Sequence, residues 1–414
     1  MRTRRIWRLN LLRLTVFTAL TLMMYGPRGV CEEPSTIIDS MDALRFQATG
    51  AKCNVQLVPG RDGKAVRFVF EEDAKSCFAI GRSRGEPAWE DADGISFWVR
   101  GDGREQFVGL QFIWNEDYGL RYDYGFWVSG NEWSRVVVPW RDLILVTSSE
   151  GAKPISVEGN SPAKLGPLWF GKWWYWRDYP KQSFAVDDIR LEASIAPTEP
   201  AAEAAATNRD GLARVRAKLI AGQPIEVVTM GDSLTDTAHW ANREVNWPKV
   251  FEMEVGQRHQ AAVKVINPAI GGTELRQNLV LIPRWSYAAP RPDLVTICFG
   301  GNDYNSGMRG EMFYVSMCDA IDRVRRATGG AADVLVMTTC PGADAWDTYA
   351  ELADGARRAA EEKHAGLADT YAAFHAVDMS KRDGLFVNDR VHLSPEGHRL
   401  VAETVRTSVS SGIE

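Results

Sequence analysis

The pattern of hydrophobic and polar positions changes once along this chain of 414 residues. In the first half, short runs that alternate between apolar and polar side chains are separated by Gly, Asp and Pro. The clearest of these runs are residues 65–70, 94–99, 107–112 and 135–139. Alternation with a period of two is typical of strands with one buried face, and many short strands with turns between them predict an all-β sandwich.

The second half has a different spacing of apolar residues. Continuous apolar runs rich in β-branched residues occur at residues 225–230, 263–267, 294–299 and 334–339. Between them, apolar residues recur every three or four positions, as in helices, at residues 312–326, 349–364 and 395–409. Strands without alternation are typical of a parallel sheet buried on both faces, so this half is predicted to be a doubly wound α/β fold. Active sites of such folds lie beyond the carboxyl ends of the strands.

A segment rich in Ala, Pro and Glu connects the two halves at residues 194–208. It has no large apolar residue after Ile195, and its composition is typical of a tether. We therefore predict an all-β domain at residues 35–193, a linker at 194–208 and an α/β domain at 209–414.

A targeting segment is predicted at residues 1–31. Arginines crowd the first eight positions and precede the apolar run Leu14–Met24. As a helix, this run would be about 16 Å long, about half of a hydrocarbon core of about 30 Å, so a signal peptide fits better than a membrane span. We expect a secreted or periplasmic protein with no stable membrane span once the segment is removed. Residues 27–30 form a poor lipobox, which disfavours a lipid anchor on Cys31.

Composition excludes some functions and leaves others open. The net charge of −6 disfavours nucleic acid as a partner, because phosphate contacts need clustered Lys and Arg. None of the six cysteines has zinc-site spacing, and export would permit a disulfide between Cys53 and Cys77. No cofactor or catalytic metal is predicted. Asp187 or Asp188 could ligate a structural calcium ion in the sandwich, although two adjacent acidic residues do not define a site by themselves.

Four short segments of the second half carry the chemistry. In chain order they are Gly231–Thr235 (GDSLT), Asn267–Thr273 (NPAIGGT), Gly300–Asp303 (GGND) and Asp389–His392 (DRVH). Taken alone, each has a plain structural interpretation as a turn or a helix cap. Their fixed order at the predicted strand ends makes a shared catalytic role the better interpretation.

The residue types in these segments suit acyl transfer through a serine ester. Ser233 is the candidate nucleophile, and we expect it where the chain leaves the first parallel strand and enters the next helix. A serine needs a base, for which His392 is the best candidate. Asp389 precedes that histidine by three residues, close enough to reach its Nδ1 atom and set the tautomer. Gly272 and Asn302, with the Ser233 N–H group, are the candidate oxyanion donors. His239, six residues after the serine, could line the pocket or lie on a helix surface.

A competing motif in the first half is set aside. Gly81–Gly85 (GRSRG) matches the G-x-S-x-G string, but that motif needs a preceding strand and a following helix. Here Glu86 and Pro87 follow within the all-β half, so a loop is predicted.

The four segments resemble the four blocks of the SGNH (GDSL-type) hydrolase superfamily, and the resemblance covers about residues 209–414. It implies a flavodoxin-like three-layer fold with Ser233 as nucleophile, His392 as base and Asp389 as its partner. It also implies an oxyanion hole formed by the Ser233 N–H group, Gly272 and Asn302.

The first half is unusually rich in tryptophan, with the densest patch at residues 168–176. As a strand, this patch would place Trp169 and Trp173 on one face and Trp174 and Trp176 on the other. One aromatic face could stack on sugar rings, and the alternative is core and edge packing. The half also resembles jelly-roll carbohydrate-binding modules, which makes these four tryptophans candidate sugar-binding residues.

The sequence as a whole predicts an exported serine esterase that removes O-acyl groups, chiefly O-acetyl groups, from a polysaccharide or oligosaccharide. A lipase or lysophospholipase of the same fold is one alternative, and an acyltransferase is another. A glycan-binding surface protein with an inactive hydrolase half is the alternative from a different class. The sequence does not indicate an oligomeric state.

Overall fold

The computed structural model describes residues 36–147, 153–156, 159–196 and 210–413. The predicted signal peptide at residues 1–31, with Cys31, lies outside the described residues. Residues 197–208 of the predicted linker also lie outside the described residues. Within the described ranges, no helix combines the length and the apolar character needed to cross a bilayer.

The first half of the chain forms two antiparallel sheets. Their strands, in chain order, are β1 (Ile37–Asp39), β2 (Gln47–Ala48), β3 (Cys53–Pro59), β4 (Lys64–Phe70), β5 (Cys77–Ile80), β6 (Gly94–Arg100), β7 (Gln106–Trp114), β8 (Asp117–Val128), β9 (Ser134–Pro139), β10 (Ile144–Leu145), β11 (Leu165–Lys172) and β12 (Gln182–Glu192). One sheet has the order β3-β4-β12-β6-β9, with β1 also pairing with β12, and the other has the order β10-β8-β7-β11-β5-β2.

The inward faces of these two sheets share one apolar core. Phe68 and Phe97 from the first sheet meet Phe170 from the second, with ring centroids 5.1 Å and 5.6 Å from that of Phe170. All three side chains are fully buried. The four predicted strand segments lie in β4, β6, β7 and β9, so the all-β prediction is confirmed.

The second half alternates strands and helices. Its strands are β13 (Ile225–Gly231), β14 (Val263–Ile266), β15 (Leu294–Cys298), β16 (Asp333–Met337) and β17 (Gly366–Ala368). Its helices are α1 (Ala213–Ile220), α2 (Trp247–His259), α3 (Leu275–Val280), α4 (Ile282–Ala288), α5 (Gly301–Asn305), α6 (Gly310–Ala327), α7 (Ala350–Glu362), α8 (Thr370–His375) and α9 (Pro395–Ser410). All strand pairs are parallel, in the order β14-β13-β15-β16-β17.

This strand order is the flavodoxin-like 2-1-3-4-5 arrangement, and it confirms the predicted doubly wound fold. The order reverses between β13 and β15, where the connections leave on opposite sides of the sheet. Ligands of such folds bind at this switch point, outside the carboxyl ends of the strands.

Two local predictions are wrong. No α-helix follows Ser233 directly: turns and a short 3₁₀ segment at Trp240–Asn242 come first, and α2 begins at Trp247. The tryptophan-rich patch is not one strand either. Strand β11 ends at Lys172, and the Trp176 N–H group donates to the Trp173 carbonyl at 3.1 Å, which closes a turn.

The two halves share a continuous apolar core. Trp173 and Trp176 from the antiparallel half belong to the same buried cluster as Leu279 and Trp285 from the α/β half. Polar contacts also join the halves: the Trp127 indole donates to the Pro283 carbonyl at 2.8 Å. The described residues of both halves accordingly belong to one compact unit.

Cys53 in β3 and Cys77 in β5 are both buried, and their strands belong to different sheets of the antiparallel half. Both are free thiols in this structure, and hydrogen bonding to Cys77 raises the pKa of Cys53. Their oxidation to a disulfide stays a prediction.

The two residues considered for calcium have protein partners. An Asp187 carboxylate oxygen accepts from the Arg61 N–H group at 2.7 Å, and Asp188 forms an ion pair with Arg190 at 2.6 Å. Among the described residues, no group of three or more His, Cys, Asp and Glu side chains is arranged to hold a metal ion.

Candidate active site

Ser233 lies two residues beyond the carboxyl end of β13. The turn that presents it requires glycine at position 231, because a Cβ atom there would lie 2.4 Å from the Thr235 Oγ1 atom. The Asp232 carboxylate is buried inside the turn and accepts from the Leu234 N–H group at 2.9 Å. Burial raises the pKa of Asp232 to about 6. The buried Asp232 carboxylate therefore stabilises the turn that presents the serine.

Ser233, His392 and Asp389 form a continuous hydrogen-bonded chain. The Ser233 Oγ atom lies 2.9 Å from the His392 Nε2 atom. On the other side of the ring, the Nδ1 atom lies 2.6 Å from an Asp389 carboxylate oxygen. With Nδ1 protonated toward the carboxylate, Nε2 is free to accept the serine proton. This geometry is that of a nucleophile, a general base and an orienting carboxylate.

The segment that carries the histidine is a tight turn. The second oxygen of Asp389 accepts from the N–H groups of Val391 at 3.0 Å and His392 at 2.9 Å. Arg390 adopts a left-handed conformation with φ of 63° and pairs with Asp344 at 2.8 Å. Burial opposes ionisation of Asp389, but hydrogen bonds from His392 and Val391 outweigh it and lower its pKa. The carboxylate is therefore ionised at neutral pH, as the orienting role requires.

Three N–H donors are available for an oxyanion. The Gly271 N–H group is engaged by Asp236 at 3.1 Å, whereas the N–H groups of Gly272 and Ser233 have no hydrogen-bond partner among the described residues. Asn302 donates one of its amide hydrogens to the Thr273 carbonyl at 3.0 Å, which fixes the amide plane and leaves its second hydrogen. These are the three donors that the sequence indicated.

The loop with Gly271 and Gly272 is packed against the serine. A Cβ atom on Gly271 would lie 3.6 Å from the Ser233 Cβ atom and 3.2 Å from the His239 ring. Gly272 has φ of 76°, a conformation that favours glycine. Asn267 ties this loop to the serine turn, because its amide donates to the Thr235 carbonyl at 2.9 Å.

Asp303, the last residue of the third segment, connects that segment to the start of α3. It is fully buried and accepts from the Leu275 N–H group at 2.9 Å. Its second carboxyl oxygen has no hydrogen-bond partner among the described residues. Burial raises the pKa of Asp303 to about 8, so the group is largely protonated at neutral pH.

His239 lies against the candidate base. Its ring is stacked on that of His392, with centroids 4.3 Å apart, and the Trp240 ring meets His392 edge-on at 5.7 Å. Burial, followed by the positive charge that His392 can carry, lowers the pKa of His239. Of the two alternatives for His239, the structure supports the pocket position.

A cleft of about 570 Å³ opens beside this centre, with walls from both halves of the chain. The antiparallel half contributes Lys75 and residues 174–177 with Tyr179, and the α/β half contributes Asp236, Ala238, His239, Trp240, Arg243, Ile270, Gly271 and Thr273. Sequence reasoning did not identify Arg177, Asp236 or Trp240. For Asp236 and Trp240, the one indication in the sequence is that they follow Ser233 by a few residues. Arg177 has no such indication.

The predicted sugar-stacking face does not form as expected. Trp169, Trp173 and Trp176 are only 6, 4 and 3% exposed, because they pack in the core that the two halves share. Stacking on a sugar needs an open ring face, so the prediction is wrong for these three residues. Trp174, at 51% exposed, is the one of the four with an open ring, and it lines the cleft.

Comparison with known proteins agrees with this geometry. Residues 229–400 match the model of the GDSL-like Lipase/Acylhydrolase family. This part of the chain is therefore a GDSL-like hydrolase domain with the SGNH fold, and the resemblance drawn from the four segments is confirmed. No curated protein matches the chain.

Similar solved structures cover the same part of the chain. An acetylxylan esterase from Geobacillus stearothermophilus, Axe2, is 20% identical over 47% of this chain and 96% of its own, with a TM-score of 0.37. A lipase/acylhydrolase from Enterococcus faecalis is 19% identical over 45% and 95%, with a TM-score of 0.39. LAE5, an alpha/beta hydrolase from the metagenome of Lake Arreo, Spain, is 19% identical over 45% and 95%, with a TM-score of 0.38.

Proposed function

We propose that the protein is an exported serine esterase that hydrolyses O-acyl esters, chiefly O-acetyl esters, on a polysaccharide or oligosaccharide. One observation carries the reaction type: the Ser233 Oγ atom lies 2.9 Å from His392 Nε2, whose Nδ1 lies 2.6 Å from Asp389. This chain of contacts supports an active hydrolase over a glycan-binding protein with an inactive hydrolase half.

The steps follow from the geometry. Ser233 Oγ attacks the ester carbonyl carbon while His392 Nε2 takes the hydroxyl proton. The N–H groups of Ser233 and Gly272 and the Asn302 amide stabilise the oxyanion of the tetrahedral intermediate. His392 returns the proton to the departing alcohol oxygen, which leaves an acyl-enzyme. A water molecule, deprotonated by His392, then attacks the acyl carbonyl. The bond to Ser233 Oγ breaks, His392 returns the proton to that oxygen, and the carboxylic acid is released.

Two observations support a saccharide as the alcohol part of the substrate. The cleft beside Ser233 carries exposed tryptophan rings, whose flat faces suit the C–H surfaces of sugars. The cleft also has lining residues from both halves of the molecule, and its volume of about 570 Å³ exceeds what a small acyl group alone needs. Export rests on the segment at residues 1–31 and on the suitability of an extracellular polysaccharide as substrate.

The test is a profile of ester hydrolysis by the wild-type protein. Acetylated xylan, acetylated pectin and p-nitrophenyl esters of increasing chain length are compared, with Ser233→Ala as the control. We expect acetate release from at least one polysaccharide and a decline in rate as the acyl chain lengthens. A preference for long acyl chains would instead favour a lipase or lysophospholipase. Equal rates in the wild type and Ser233→Ala would refute the mechanism.

A further inference from the structure

The cleft beside Ser233 has an exposed indole ring on each of its two walls. Trp174 comes from the loop that follows β11 and is 51% exposed, and Trp240 comes from the short segment after Ser233 and is 57% exposed. Large apolar side chains left open to water in one concave site are typical of ligand-binding surfaces. The two rings belong to different halves of the chain, so neither half forms this cleft alone.

Trp240 places one of these rings next to the reacting atoms. Its centroid lies 5.7 Å from that of the His392 imidazole and 5.5 Å from that of His239. His392 in turn contacts the Ser233 hydroxyl at 2.9 Å. Trp240 and the Ser233 hydroxyl thus contact the same imidazole, so a ring bound against Trp240 lies beside the catalytic histidine.

Trp174 is held open by its neighbours. Trp173, Tyr175 and Trp176 on either side of it are buried in the core that joins the two halves. The Tyr179 hydroxyl donates to the Trp174 carbonyl at 2.5 Å, which fixes the backbone of the loop. Trp174, the exposed member of residues 173–176, is thus presented to the cleft on an ordered segment, at little entropic cost to binding.

We propose that Trp174 and Trp240 form the subsite for the sugar that carries the ester, with Trp174 stacking on the saccharide from the side opposite to the catalytic histidine. This proposal rests on the proposed function and specifies the residues that recognise its alcohol group. The antiparallel half then acts as one wall of the active site. The cleft volume of about 570 Å³ suits a short segment of a saccharide chain rather than an acetyl group alone.

The test separates saccharide recognition from ester chemistry. Binding of acetylated oligosaccharides from xylan and from pectin is measured by calorimetry on Ser233→Ala, in which the ester is not consumed, and on Ser233→Ala/Trp174→Ala. Tyr118→Ala in the same background is the matched control, because Tyr118 is an aromatic residue of the same half that is 62% exposed and is not part of the cleft lining. Trp174→Phe tests whether a smaller ring restores binding.

We expect Trp174→Ala to weaken binding by about tenfold, as for the loss of one ring-stacking contact, while Tyr118→Ala binds like its parent and Trp174→Phe lies between. In the protein that retains Ser233, the control Tyr118→Ala should hydrolyse p-nitrophenyl acetate and the acetylated oligosaccharides at wild-type rates, because Tyr118 is not part of the cleft lining. Equal affinities with and without Trp174, or no binding of either oligosaccharide to Ser233→Ala, would overturn the subsite. If binding depends on Trp174 but the wild type hydrolyses no ester, the proposed function fails and the subsite stands.

Discussion

Arg177 of the antiparallel half forms an ion pair with Asp236 of the α/β half at 2.8 Å. The other oxygen of Asp236 accepts from the Gly271 N–H group at 3.1 Å, and the Arg177 guanidinium also donates to the Ala269 carbonyl. The antiparallel half thus holds the loop that carries the candidate oxyanion donor Gly272.

Replacing Arg177 with Met should therefore lower kcat without preventing folding. Complete removal of an oxyanion donor costs about 10²–10³ in rate, and a loosened donor should cost about tenfold. The loss should appear in kcat rather than KM, and equally for p-nitrophenyl acetate and for acetylated saccharides. Arg284→Met is the matched control, because Arg284 also forms an ion pair between the halves, with Asp178, but does not contact the oxyanion loop. Equal kcat values for the two variants would contradict this positioning role.

Asp389→Asn should lower kcat by about 10³–10⁴, because an amide can hold His392 in the wrong tautomer and does not stabilise the imidazolium. Steady-state hydrolysis of p-nitrophenyl acetate measures the effect. Asp383→Asn, an exposed carboxylate near the same turn, serves as the control and should retain wild-type activity. Retention of more than a tenth of the wild-type rate by Asp389→Asn would show that His392 is oriented by another group.

His239 should act through its ring face and not through its proton. Burial and the charge that His392 can carry lower the pKa of His239, which favours the neutral form of its ring. His239→Phe preserves a flat ring against His392 and should keep both the rate and the pH profile of kcat/KM. His239→Ala should lower kcat by about fivefold, because the imidazole of His392 loses a packed neighbour. A changed pH profile in His239→Phe would assign a proton-transfer role to His239.

Asp303 should make the folded protein less stable as the pH rises. Its pKa is about 8 when buried, against 3.8 ordinarily, so between these values the folded state holds a proton that the unfolded state has released. The stabilisation is complete below about pH 4 and is lost as the pH approaches 8, with a slope of about 1.4 kcal/mol per pH unit. Asp303→Asn keeps an acceptor for the Leu275 N–H group and removes the titration.

Urea unfolding at pH 5, 6, 7 and 8 measures this contribution. The slope of the unfolding free energy against pH should be less negative in Asp303→Asn than in the wild type. The difference should be about 1.4 kcal/mol per pH unit, which corresponds to one bound proton. Buried Asp123, whose pKa is raised to about 7, contributes in the same direction and remains in both proteins. Parallel slopes for the two proteins would show that Asp303 is ionised in the folded state.

The sequence was sufficient for those features that depend on local pattern. Unalternating β-branched runs predicted four of the strands of the parallel sheet, and the spacing of apolar residues predicted α6, α7 and α9. The candidates Ser233, His392 and Asp389 could be identified from segments of four or five residues, because each segment contains both the reactive residue types and the residues that form its turn. The contacts among them then depend on the strand order, which brings these segments to one edge of the sheet.

Features that depend on contact between the halves could not be predicted. Trp173 and Trp174 are adjacent in an aromatic run, but one is buried and the other is open to the cleft. Periodicity failed there because a turn replaces the expected strand, and because the α/β half covers what would otherwise be an exposed face. Arg177 gave no signal, since its partner Asp236 lies in the other half of the chain.

The most direct test of the proposed mechanism is covalent labelling of the intact protein with a fluorophosphonate, which reacts preferentially with an activated serine. Mass spectrometry of the labelled protein should show one adduct per chain, located on the peptide that contains Ser233, with parallel loss of p-nitrophenyl acetate hydrolysis. Ser233→Ala should remain unlabelled, and His392→Ala should label far more slowly. An adduct at another serine, or esterase activity that survives complete labelling of Ser233, would contradict the central claim that Ser233 is the nucleophile.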